Sequence, residues 1–122
     1  MSNSTVTVDG LGSDVKKLEA NGSNWLVFHL RFVKAVKAKS KWGHFDGSKA
    51  RPVAADTNAP TVGEVAAMAK WDEDEAVASQ MLASRLPDSV LIKLERLGTV
   101  AAQWASLVSD FTYRSAVTSA NL

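Results

Sequence analysis

The residue types that can do chemistry fall into three groups: two histidines (His29 and His44), the acidic run Asp72-Glu73-Asp74-Glu75, and a series of cations between Arg31 and Lys41. A histidine serves as base or metal ligand when a second suitable group stands at a matching spacing. Neither H-x-x-x-H nor H-E-x-x-H occurs here. His29 lies near the apolar side of a helical pattern, which predicts a core histidine with its polar atoms satisfied. The chain has no Cys, which excludes a disulfide framework, a thiolate zinc site, a cysteine nucleophile and an iron–sulfur cluster. It contains no phosphate-binding glycine loop, no dinucleotide fingerprint and no nucleophile elbow, and its serines have no base at a recognisable spacing. The expectation is a protein that is not an enzyme, with no catalytic residue, metal, cofactor or small-molecule substrate.

The acidic run points the same way. Four consecutive residues on a helix project in four directions, so they cannot converge on one cation. Asp72, Glu73 and Asp74 are expected on a solvated face. Glu75 is different, because it falls between Trp71, Ala78 and Leu82 in the middle of an apolar stripe. A carboxylate there needs a partner, since an unpaired buried charge is costly. It is predicted to be a structural anchor, bonded to a helix N-terminus, a Trp N–H or His29.

Arg31, Lys34 and Lys37 lie opposite the apolar side of their helix, and Lys39 and Lys41 follow. These five predict weak, salt-sensitive phosphate contact without sequence preference. No aromatic residue alternates with them on the exposed side, so no base-stacking platform forms. The overall charge of +1 conceals two unequal halves. Residues 1–51 carry nine Lys/Arg and four Asp/Glu, whereas 52–122 carry five and nine. Halves of opposite sign can attract one another between copies of the chain.

These side chains must be positioned by helices. Residues 1–20 are rich in Ser, Thr and Gly and are expected to form a loose arm, pinned locally by Leu11, Val15 and Leu18. Residues 21–114 form the predicted helical domain. Ser23 or Asn24 can cap a first helix running to about Lys39, with Trp25, Phe28, Phe32 and Val36 inward. Trp42 and Phe45 fold a short turn back onto the core. Residues 46–63, with two prolines and two glycines, are expected to be structureless and mobile. Thr61 and Glu64 have the spacing of a capping box and open a long helix to about Ser84, with Met68, Trp71, Ala78 and Leu82 on one face. Leu86-Pro87 stops it. Asp88 is expected to cap a short helix with Val90, Leu91, Leu94 and Leu97 inward. Thr99 caps a last helix with Val100, Trp104, Leu107, Val108 and Phe111 inward, and residues 115–122 look like the start of an unfinished element. The class is all-α, a small bundle of four main helices plus short helical turns. One core should contain Trp25, Phe28, Phe32, Trp71, Leu82, Leu94, Trp104, Leu107 and Phe111.

The first helix has more apolar surface than one core face needs. Leu26, Leu30 and Val33 make a second stripe beside the first, flanked by Val27 and the cations. Part of it is expected to meet a neighbouring copy, with Asp72, Glu73 and Asp74 supplying the complementary charge. The alternative is that the short helix over 88–97 covers this stripe within one chain.

Four segments in order resemble the capsid part of the Gag polyprotein of copia-type LTR retrotransposons, over residues 17–113. Leu18-Glu19-Ala20-Asn21-Gly22-Ser23-Asn24-Trp25 is similar to the opening L-x-G-x-N-W/Y, shifted by one residue between Leu and Gly. Lys41-Trp42-Gly43-His44-Phe45-Asp46-Gly47 resembles the segment L-W-x-x-V/I-x-G. Trp71, Glu75, Ala78, Leu82 and Leu86 match a Trp-led pattern with an acid four residues on. Thr99, Trp104, Leu107 and Phe111 match T-A-x-x-x-W-x-x-L-x-x-x-F/Y. Glu75 stands where the family has Asp, and Val100 where it has Ala. Nothing resembles the Cys/His zinc knuckle, protease, integrase or polymerase motifs of such elements. The resemblance implies a retroviral-capsid-like N-terminal domain that acts in the cytoplasm, self-associating into a virus-like particle shell around retrotransposon RNA. It also implies either an excised capsid domain or a shortened, domesticated descendant acting as a protein-interaction adaptor. No membrane partner is expected, since no apolar run can span a bilayer and the N-terminus lacks a secretory signal pattern.

Overall fold

The computed structural model describes residues 11–120, with side chains through Arg114. Five helices follow one another: α1 (Trp25–Ala38), α2 (Trp42–Asp46), α3 (Val62–Ala83), α4 (Asp88–Glu95) and α5 (Val100–Ala120). The all-α class is as expected, four longer helices and one single turn, and no strand forms among the described residues.

Residues 11–20 are not the loose arm expected from their composition. Leu11, Val15 and Leu18 are fully buried, and the Leu18 N–H donates to the Arg85 carbonyl at 2.9 Å, which ties the segment to the end of α3. Three apolar side chains at suitable spacing are enough to seat a polar segment in a core. Residues 1–10 of that predicted arm lie outside the described residues. Asn24 occupies the N-cap of α1 without capping it through its side chain. Its Oδ1 accepts from the Glu19 N–H at 2.8 Å and its Nδ2 donates to the Lys17 carbonyl at 2.9 Å, closing the loop before the helix. Gly22 makes that loop possible. Its φ is 77°, and a Cβ there would sit 2.9 Å from the Phe111 ring, so both backbone shape and space require glycine.

The Thr61–Glu64 capping box is present in both directions and starts α3. Pro87, not Asp88, is the N-cap of α4. Asp88 is instead its first helical residue, where the unsatisfied N–H groups favour an acid. The Thr99 hydroxyl accepts from the Ala102 N–H at 3.2 Å and starts α5. That helix runs unbroken to Ala120, so the expected separate element from residue 115 is its continuation; residues 121–122 lie outside the described residues.

Residues 47–61 have no helix, as expected, yet they form a strap fastened to α3. Arg51 donates from Nε and Nη2 to the two Asp72 oxygens at 2.8 and 2.9 Å. The Trp71 Nε1–H donates to the Lys49 carbonyl at 2.7 Å, and the Ala55 N–H to Glu64 Oε2 at 3.0 Å.

The core centres on Trp104. Its ring lies 5.3 Å from Phe32, 5.6 Å from Trp42, 5.8 Å from Phe45 and 6.3 Å from Trp25. Eight of the nine expected core residues are buried; Trp71 is only half-buried, on α3 beneath the strap. Helices α1 and α3 both lean on α2 and α5 and scarcely touch each other.

Candidate functional site: an uncovered helix face

Glu75 is held as a structural anchor. Its Oε2 accepts from the Val100 N–H at 2.8 Å, at the start of α5, so a helix N-terminus is indeed its partner. Its Oε1 lies 2.8 Å from Nδ1 of His44. A carboxylate only accepts, so the histidine donates from Nδ1. The expected histidine was His29, and the correction follows from topology: α2 and α5 pack on α3, whereas α1 scarcely touches it. The His44 ring is buried, lies 4.8 Å from the Trp71 ring, and its Nε2 is shielded without a partner. His29 is not the hydrogen-bonded core residue expected. It is half-buried, with its ring stacked on Trp104 at 5.6 Å and tilted against Trp25 at 5.2 Å.

The acidic residues are engaged within the chain more than expected. The Arg51 fork holds the Asp72 carboxyl below its ordinary range. Asp74 accepts from Lys70 at 2.9 Å, which lowers its carboxyl in the same way, and Lys41 approaches it at 3.8 Å. Its side chain is only 14% exposed, so it is not on a solvated face. Glu73 remains the open acid of the three, 3.9 Å from Lys70 and with its side chain 74% exposed.

The five candidate phosphate contacts are likewise divided. Arg31 pairs with Asp14 at 3.3 Å, Lys37 lies 5.8 Å from the Trp42 ring, and Lys41 turns toward Asp74. Lys34 and Lys39 are exposed on and just after α1.

The uncovered feature is the outer face of α1. Leu26 is 69% exposed, Leu30 61% and Val27 48%, while Val33 packs against the edge of the core. Helix α4 does not cover this stripe, contrary to the alternative. It is eight residues long and commits Val90 and Leu94 to the core, with α5 as its neighbour. A shallow groove runs beside the stripe, lined by Asp14, Val27, Leu30, Arg31, Lys34 and Ala35.

A second uncovered face was missed from sequence. On α3, Val62, Val65, Ala66, Ala69, Glu73, Ala76 and Val77 are all exposed. At 100° per residue they lie within about 60° of one line, opposite Trp71, Ala78 and Leu82. The signal was an apolar pattern on both sides of one helix, which calls for two partners.

Comparison of the chain with protein-family models, curated proteins and solved structures finds no match in any of the three. Among the described residues no helix is long and apolar enough to cross a membrane, and no group of three or more His, Cys, Asp or Glu could hold a metal ion.

Proposed function

We propose that this chain is a non-catalytic structural domain that self-associates, as the capsid part of a copia-type Gag does in forming a cytoplasmic shell around RNA. One observation carries this reading: α1 presents Leu26, Val27 and Leu30 to solvent in adjacent turns, and no other element among the described residues covers them. A contiguous apolar patch on a surface helix is a contact site in waiting. The two histidines support a non-catalytic role, since one ring is stacked among aromatics and the other has Nδ1 spent on Glu75. RNA contact on this reading is weak and electrostatic, through Lys34 and Lys39 with help from Arg31 and Lys37.

Light scattering against protein concentration, with and without single-stranded RNA, tests the proposal. Mass rising with concentration, and rising further with RNA at low salt, supports a shell-forming domain. A monomer at every concentration that captures a foreign partner supports an adaptor instead.

A further inference from the structure

We infer that the α1 face of one copy docks on the outer α3 face of the next, so that association is head-to-tail and not two-fold. This rests on the self-association proposed above and names its partner surface. The two faces differ in relief and in charge. Helix α1 projects two leucines, Leu26 and Leu30, with Lys34 one turn beyond Leu30. Helix α3 offers a low surface of Val65, Ala66 and Ala69, with Glu73 one turn beyond Ala69. Laid side by side and parallel, Leu26 and Val27 meet Val65 and Ala66, Leu30 meets Ala69, and Lys34 meets Glu73. Large side chains then enter a shallow surface and opposite charges face each other.

The self-pairings fit less well. Two α1 faces brought together set leucine against leucine and concentrate Arg31, Lys34 and Lys37 from both copies. Two α3 faces set small residues against small ones and oppose their glutamates. Helices α1 and α3 each lean on α2 and α5 and scarcely touch one another, so the two faces belong to separate parts of the surface. One copy can therefore use both at once. A contact between two different patches closes only into rings, or else remains open-ended. A shell needs that property, and a two-fold dimer alone lacks it.

Complementation tests this polarity. Leu30→Asp blocks the α1 face and Ala69→Glu blocks the α3 face, both at exposed positions, with circular dichroism confirming the helices. Wild type is measured alongside in the analytical ultracentrifuge. Each variant alone should be monomeric, and an equimolar mixture should give a 1:1 dimer that grows no further, since each pair retains one intact interface. As a second measurement, Lys34→Glu and Glu73→Lys should each weaken association at least tenfold, and the two combined in one chain should restore it. Association by Ala69→Glu alone, association by Leu30→Asp alone, or a mixture that stays monomeric overturns the inference while leaving self-association itself intact. A monomeric wild type refutes the underlying proposal instead.

Discussion

Glu75 Oε2 lies 2.8 Å from the backbone nitrogen of Val100, so a side chain in the middle of one helix caps the start of another. The same carboxylate receives His44, which makes it the point where α2, α3 and α5 are joined. Substitution therefore has a graded result. Glu75→Gln keeps one acceptor oxygen for two donors, leaving the Val100 N–H or the His44 N–H unmet. A tautomer change would move the imidazole proton to Nε2, which is shielded without a partner. We expect Glu75→Gln to cost about 1–3 kcal/mol and Glu75→Ala more, as both donors are then orphaned. Chemical denaturation of the three proteins checks the order; a Glu75→Ala variant as stable as wild type would show that the node is dispensable.

Gly22→Ala should destabilise by roughly 1–3 kcal/mol, combining a left-handed backbone with a steric conflict against Phe111. Thermal melts of Gly22→Ala and the double variant Gly22→Ala/Phe111→Leu separate the two causes. Partial rescue by the smaller side chain is expected; equal loss in both would leave backbone strain as the whole effect.

Trp104→Ala should cost about 3–5 kcal/mol, because its ring touches aromatics from both α1 and α2. Near-ultraviolet circular dichroism should lose most of its structure even where the helices survive. A loss under 1 kcal/mol would mean that the core is not centred on this residue.

The strap gives the fold an acid-sensitive edge. Hydrogen bonds from Arg51 lower the Asp72 carboxyl from its ordinary 3.8, and the backbone N–H groups of Thr61 and Ala55 lower Glu64 from 4.5. A group with a lowered folded pKa binds its proton more readily when unfolded, so stability falls as pH falls. Both contributions are fully present above these ordinary values and are lost as pH drops through the lowered folded ones. Both residues are on the surface, so the effect is small and weakened by salt. Melting temperature measured from pH 6 to 2 should fall less steeply in Asp72→Asn/Glu64→Gln than in wild type. Parallel curves would show that the strap adds no acid sensitivity.

Much of this architecture was legible in particular residues. The spacing of Trp25, Phe28, Phe32 and Val36 placed one side of α1, and Thr61 with Glu64 placed the start of α3. Glu75 could be singled out because a carboxylate within an apolar stripe demands a donor. Its histidine partner could not be identified, since the choice between His29 and His44 depends on how distant helices cross. Leu11, Val15 and Leu18 stood out as pins, but their full burial in the core was obscured by the polar residues between them. Asp72 read as solvated because Arg51 is 21 residues away and no local pattern records such a pair, whereas the Lys70–Asp74 pair, four residues apart on one helix, was a local signal that went unused.

Sedimentation velocity of wild type and Leu30→Asp across a hundredfold range of concentration tests the central claim most directly. Leu30 is 61% exposed, so the substitution should leave the monomer folded. Wild type should show a weight-average sedimentation coefficient that rises with concentration, while folded Leu30→Asp stays at the monomer value throughout. A wild type that never leaves the monomer value, or a Leu30→Asp variant that associates as wild type does, would contradict assembly through the outer face of α1.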